Sequence, residues 1–156
     1  NIYLEKIKML IEDALDAANL IATIRKRLEL LVDTLIKIHS VDDKRIIMLK
    51  KNFNPERLKE GDPDSGFTSY SINKGEQIVL CLRNKNKFVD LNTMMFVVLH
   101  EIAHIATESI GHTPEFWANF KWILEESINI GIYTKKDYSK NAVEYCGMKI
   151  STTPLD

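Results

Sequence analysis

At 156 residues, 45% apolar, 28% charged and formal net charge −1, the chain has the make-up of a globular protein with room for a sizeable core. Near-neutral charge gives no global attraction to nucleic acid or anionic membrane, and the longest apolar run, Met94 to Leu99, is far too short to span a bilayer. Two cysteines, Cys81 and Cys146, are fewer than a disulfide-held secreted scaffold carries. That favours a reducing, intracellular setting, cytoplasmic or nuclear, and leaves a single bridge open. The start shows no signal-peptide pattern, and it opens on Asn rather than Met, as a piece of a longer protein would.

The first 40 residues contain neither Gly nor Pro and read as helix. One heptad frame is apolar at every a and d position: Ile7, Leu10, Ala14, Ala17, Ile21, Ile24, Leu28, Leu31, Leu35 and Ile38. Ile11, Leu15, Leu20, Val32 and Ile36 widen the stripe, which favours docking on a globular body over a narrow two-stranded coil. As one helix the segment would run roughly 57 Å. It is expected either to break near Asn19 into two core helices or to project as an oligomerising arm. Residues 1–40 are thus set apart from a domain at 41–156, with a homo-oligomer through the helix as the alternative use.

Asp42 or Asp43 can cap a short helix through Ile46, Ile47 and Leu49. Asn54-Pro55 and the stretch Glu60 to Gly66 read as turns. Phe67 to Ile72 and Gln77 to Leu82 alternate as strands around Asn73-Lys74-Gly75-Glu76, a hairpin signature, and the second could pair at an edge with an extended peptide. Arg83 to Lys87 reads as a solvated basic turn. Asp90 caps a helix expected from Leu91 to about Ser109, closed by Gly111. Thr113 and Pro114 open the next helix, through Phe116, Trp117, Phe120, Ile123, Leu124 and Ile128, and Gly131 ends it. The tail past Tyr133 reads as irregular.

The chemistry concentrates in His100-Glu101-Ile102-Ala103-His104. Residues four apart on a helix lie about 40° apart, so His100 and His104 can face one ion, while Glu101, about 60° from His104, is near that ion without having to bind it. This suits a base that takes a proton from a water activated by zinc. A catalytic zinc keeps three protein ligands, and His112, one residue past the chain-reversing Gly111, is the leading third; Glu108, Glu115, Glu125 and Glu126 compete. Glu115 could instead orient His112. Met94 to Leu99 is apolar on every side, so two histidines and a glutamate continuing that helix would be costly to bury without a strong partner such as a metal. The fourth histidine, His39, sits where the long helix ends, as a cap or surface residue. A structural zinc completed by Cys146 or Cys81 would leave Glu101 without a role. For an oxyanion donor, Tyr70, Tyr133, Tyr138 and Tyr145 are open, with Tyr145 favoured because its Gly-containing turn can fold over the site.

The His100 to His104 motif followed by Gly111-His112-Thr113-Pro114-Glu115-Phe116 resembles the SprT/Spartan and Wss1-like (WLM) zinc metallopeptidases. Gly131-Ile132-Tyr133 and Tyr145-Cys146-Gly147-Met148 also look like WLM-type proteins of large DNA viruses. The resemblance implies an α+β, minimal zincin-like metallopeptidase domain, with a small antiparallel sheet and an HExxH helix, preceded by the long helical segment. It further implies Zn2+ on His100, His104 and His112, Glu101 as base, and protein or peptide substrates, with DNA as a partner by resemblance alone. The interval from His104 to His112 is shorter than in Spartan, and Thr107 and Ile110 stand where a metzincin needs Gly and His. The rival reading is a non-catalytic scaffold with a structural or vestigial zinc site.

Overall fold

In the computed structural model, residues 1–62, 69–85 and 87–156 are described. The chain is α+β, with four α-helices and small sheets among the described residues. Helix α1 spans Ile2–Ile38 without interruption, its first turn capped by the Asn1 side chain, which accepts from the Tyr3 amide. The break expected near Asn19 is absent, because no residue from 2 to 38 interrupts the hydrogen-bond ladder or lacks helix propensity enough to do so. The heptad seam divides by environment. Ala17, Ile24, Leu28, Leu31 and Leu35 are buried, whereas Ile7 and Leu10 are 52% and 69% exposed. The second half of α1 is therefore core structure, continuous with the rest of the hydrophobic cluster.

Helix α2 (Lys44–Asn52) starts at Asp43, whose carboxylate accepts from the Arg45 amide. A single 3-10 turn at Pro55–Arg57 leads into β1 (Leu58–Glu60). Strands β2 (Tyr70–Ile72) and β3 (Gln77–Leu80) form the expected hairpin, with Ser71 opposite Ile78; its predicted start at Phe67 and Thr68 lies outside the described residues. The sheet is mixed rather than antiparallel: β1 runs parallel to β3, and the order is β1-β3-β2. Strand β3 is thus central, so it is no edge for a peptide. It earns that place with Ile78, Val79 and Leu80 all buried, the continuous apolar run of a strand covered on both sides.

Two two-stranded ribbons follow sequence that read as irregular: β4 (Arg83–Asn84) with β5 (Lys87–Phe88), and β6 (Val143–Tyr145) with β7 (Met148–Ile150). The β6–β7 turn uses positive φ at Cys146 and Gly147. Cys146 is bonded to Cys81, the bridge left open by the sequence, which pins this ribbon beside β3. The metal-motif helix α3 (Leu91–Ala106) buries every residue from Thr93 to Leu99 and packs on α2 and on α4 (Pro114–Asn129). Arg83 ties α1 to the sheet, ion-pairing with Asp13 and, at 2.8 Å, with Glu60. Among the described residues, no helix is long and apolar enough to cross a membrane.

Candidate metal centre

Helix α3 carries His100, Glu101 and His104 on the face turned toward β2 and the α3–α4 connection. The Nε2 atoms of His100 and His104 lie 3.2 Å apart, and those of His100 and His112 lie 3.3 Å apart. One nitrogen from each of the three rings falls within 4.8 Å of the others. Two ligands at tetrahedral zinc, each about 2.0–2.1 Å from the ion, are separated by roughly 3.3 Å. Two of the three edges of such a site are therefore already set, and the residues fit a zinc ion. Three ring nitrogens this close, with no acid between them, are hard to explain as mutual hydrogen bonds alone.

The ring environment is built by α4. Phe116 stacks on His104 at 4.1 Å between centroids and 21° between planes, and it meets His100 and His112 at 5.0 Å each. Phe120 closes the far side of His100 at 5.3 Å. Burial, then the neighbouring His104 and His112, hold the His100 imidazolium down to a pKa of about 3. Burial is again the first cause at His104, ahead of His112 and Lys74, and the value is about 4. Both rings are neutral bases at physiological pH, the state a metal needs.

Glu101 is 6% exposed and does not need to join the three nitrogens. Burial pushes its carboxyl up to about 7, against hydrogen bonds from Ser71 on β2 that favour the anion. A cleft of about 620 Å³ opens over Glu101 and the three histidines, with Tyr70, Lys74 and Ile110 on its walls.

The other carboxylates named as third ligands are engaged elsewhere or stand apart. Glu108 pairs with Lys44 at 2.6 Å, and Glu126 lies 3.7 Å from His39. Glu115 accepts from the Ser109 amide and hydroxyl at 3.0 and 2.8 Å, so it orders the loop before His112 rather than the His112 ring. Glu125 is exposed on α4. His39 caps the end of α1 and meets Trp122 edge-on at 5.2 Å. Cys81 and Cys146 are joined to each other and are not free to hold a metal.

Tyr145 lines a smaller cavity of about 260 Å³ together with His100, Glu101 and His112. Its hydroxyl donates to the Cys81 carbonyl at 2.6 Å and lies 2.5 Å from the Ser69 hydroxyl, and burial raises it to about 12. Its proton is committed to the β3 end of the sheet, which is an anchoring arrangement. Tyr133 and Tyr138 face each other in the core, away from the cleft.

Helix α3 stops at Ala106, three residues short of the expected Ser109, with Gly111 (φ +85°) five residues beyond. Thr107 ends it: its hydroxyl donates to the Ala103 carbonyl at 2.6 Å and accepts from Asn119 at 2.9 Å. The early stop frees residues 107–113 to carry His112 back over His100. Sequence reasoning singles out His100, His104, His112 and Glu101, which the fold brings together, but not Phe116 against the rings, Ser71 as the partner of Glu101, or Lys74. Phe116 lies inside the motif itself; the other two come from a hairpin far from α3 in sequence and carry no local signal.

An α+β domain with three convergent histidines defines a candidate metal centre of the metallopeptidase-like kind. Residues 25–154 match the WLM domain family, and the chain belongs to it. It is 34% identical over 140 residues to the uncharacterised protein R325 of Acanthamoeba polyphaga mimivirus, covering 86% of this chain and 71% of that protein. It is 30% identical over 141 residues to protein 136R of Invertebrate iridescent virus 6, covering 87% and 75%. The chain is a WLM-type protein with relatives in large DNA viruses. Among solved structures, Wss1 of Saccharomyces cerevisiae aligns at TM-score 0.43 and 22% identity, over 56% of this chain and 70% of that one.

Proposed function

We propose that this chain is a zinc-dependent peptidase with a minimal zincin-like core, in which His100, His104 and His112 hold the ion and Glu101 is the general base. The observation that carries the reading is the convergence of three imidazole nitrogens beside a buried carboxylate that none of them needs as a ligand. Zinc held there would supply a Lewis acid that polarises a peptide carbonyl and brings the pKa of a coordinated water to about 7.

The protein's own contribution is positional. Phe116 and Phe120 hold the rings on two sides and keep water from them. Ser71 fixes the Glu101 carboxylate at the cleft wall. From there Glu101 can accept the proton of the attacking water and pass it to the departing amine nitrogen, both within one carboxylate's reach. Strand β2 ends the three-stranded sheet among the described residues and borders the same cleft. An extended substrate laid along it would bring its carbonyl toward the histidines.

The test pairs metal content with hydrolysis. Purified protein should carry close to one zinc per chain, and Glu101→Gln should retain it while losing peptide cleavage by about 10²-fold or more. Cleavage that survives in the Gln variant would remove Glu101 from the chemistry. Absence of any bound zinc, nickel or cobalt at micromolar concentration would remove the metal centre itself.

A further inference from the structure

We infer that Lys74 is a positioning residue for the metal centre, holding the end of α3 and the loop that delivers His112; the inference rests on the zinc reading above. Its ammonium donates to three backbone carbonyls: His104 at 3.3 Å, Ser109 at 2.7 Å, and Thr107. An ammonium has three N–H donors and no acceptor, so all of its capacity is spent on this one turn of chain. Two of the acceptors flank the early stop of α3, and the third is three residues before His112.

The arrangement is built from both sides. Lys74 sits in the β2–β3 turn at φ +52°, next to Asn73 at +47°. Left-handed backbone is disfavoured for a lysine, so the turn is held by what surrounds it. Gly75 shows how closely: a Cβ there would stand 2.5 Å from the Asn52 carbonyl oxygen and 3.1 Å from Ile105 Cδ1 on α3. The hairpin tip is thereby seated directly on the metal helix, one residue from His104. On the opposite side the loop is fastened to α4, where the Glu115 carboxylate accepts from the Ser109 amide and the Asn119 side-chain amide donates to the Thr107 hydroxyl.

The His104 carbonyl lies in the last turn of α3, at the negative end of the helix dipole, where it also accepts the Thr107 amide, and the Thr107 and Ser109 carbonyls belong to the loop that follows. Left to water, they would let residues 107–112 take many paths, and His112 is the exposed member of the triad, with the least packing of its own. A cation that gathers these carbonyls removes that freedom before metal arrives. The consequence is a preformed third ligand, and supporting groups of this kind typically change metal affinity by about 10–100-fold.

Two variants separate the ammonium from the turn. Lys74→Met keeps the aliphatic stem and loses the donors; Lys74→Asn suits left-handed backbone but is too short to reach the carbonyls. Zinc affinity would be read by competition with a chromophoric chelator, and ligand geometry by the visible absorption of the cobalt-substituted protein. Both variants should bind zinc about 10–100-fold more weakly, with a weaker cobalt band as the site loses its tetrahedral ligand set. In a His112→Ala background the same substitutions should change affinity by less than about threefold, since the ligand they position is gone. Zinc affinity and a cobalt spectrum equal to those of the unaltered protein would overturn the inference. So would an equal loss in the His112→Ala background, which would make Lys74 a general stabiliser. Should the variants fail to fold, the unaltered protein decides: nitrogen-15 spectra should show a slowly exchanging Lys74 ammonium with couplings to the Thr107 and Ser109 carbonyls, and a rapidly exchanging one sinks the proposal. If the unaltered protein takes up no metal, it is the zinc reading that fails, a result distinct from metal uptake that ignores Lys74.

Discussion

Glu101→Gln should make the metal-free protein more stable while disabling it. The carboxyl moves from an ordinary 4.5 in the unfolded chain to about 7 when folded, chiefly through burial. An acid with a raised folded pKa binds more protons in the folded state between those two values, so its contribution falls as pH rises through that window. The loss is complete above the folded value. With each tenfold change in proton affinity equal to about 1.4 kcal/mol, the ionised side chain costs the fold about 3 kcal/mol at pH 8 and about 1 kcal/mol at pH 5. Glutamine has the same shape, keeps an acceptor for Ser71 and carries no charge. The assay is urea unfolding of both proteins in chelator at pH 5 and pH 8. The lowered values at His100 and His104 act in the opposite sense: their contribution is present above the unfolded pKa and is lost as pH falls. They are common to both proteins and largely cancel in the difference. A stability gap that is flat between the two pH values, or that favours glutamate at pH 8, would refute the claim that burial dominates at Glu101. With zinc loaded, the gap should shrink, because a nearby cation favours the carboxylate.

Three further outcomes rest on the packing. Leu28→Ala, at a fully buried α1 position, should cost about 2–5 kcal/mol in urea melts, evidence that the second half of α1 is core. Reducing the Cys81–Cys146 bond, or Cys146→Ser, releases a loop with a sequence separation of 65 and should lower stability by up to about 4 kcal/mol, read as a shift in the urea midpoint with and without reductant. Deleting residues 1–16 should leave melting and zinc uptake nearly unchanged, since that half-helix is exposed apart from Asp13 and its link to Arg83. A light-scattering mass on the shortened protein then reports whether those residues carry self-association.

The helices were legible because their signals are local. Asp43, Asp90 and Thr113 stand where the caps of α2, α3 and α4 are found, and Pro114 and Gly131 bracket α4 as expected. The His100–His104 spacing is likewise a property of one helix, so the face it makes could be read directly. What was not legible depends on partners distant in sequence. Strand β1 has only three residues and exists because β3 offers it a parallel edge. The β6–β7 ribbon is held by a bond to Cys81. The division of α1 into an exposed first half and a buried second half follows from the body beneath Ala17 to Leu35, which a heptad pattern cannot distinguish from a free seam.

The end of α3 shows why the site needs more than its motif. A helix continued to Ser109 would carry the loop onward along its own axis, and only Ile110 and Gly111 would remain to bring His112 back to His100. Ending at Ala106 gives the chain five residues, 107–111, to make that reversal. Nothing within α3 enforces the stop, because Thr107 and Glu108 tolerate helix. The forces come from outside: the Thr107 hydroxyl held by Asn119 on α4, and the carbonyls drawn onto Lys74 from the β2–β3 turn. The motif places His100, His104 and Glu101 on one helix, while the position of His112 is set by tertiary contacts from two other elements. A His-Glu-x-x-His helix transplanted without that hairpin and α4 should therefore bind zinc weakly, however well its own spacing is kept.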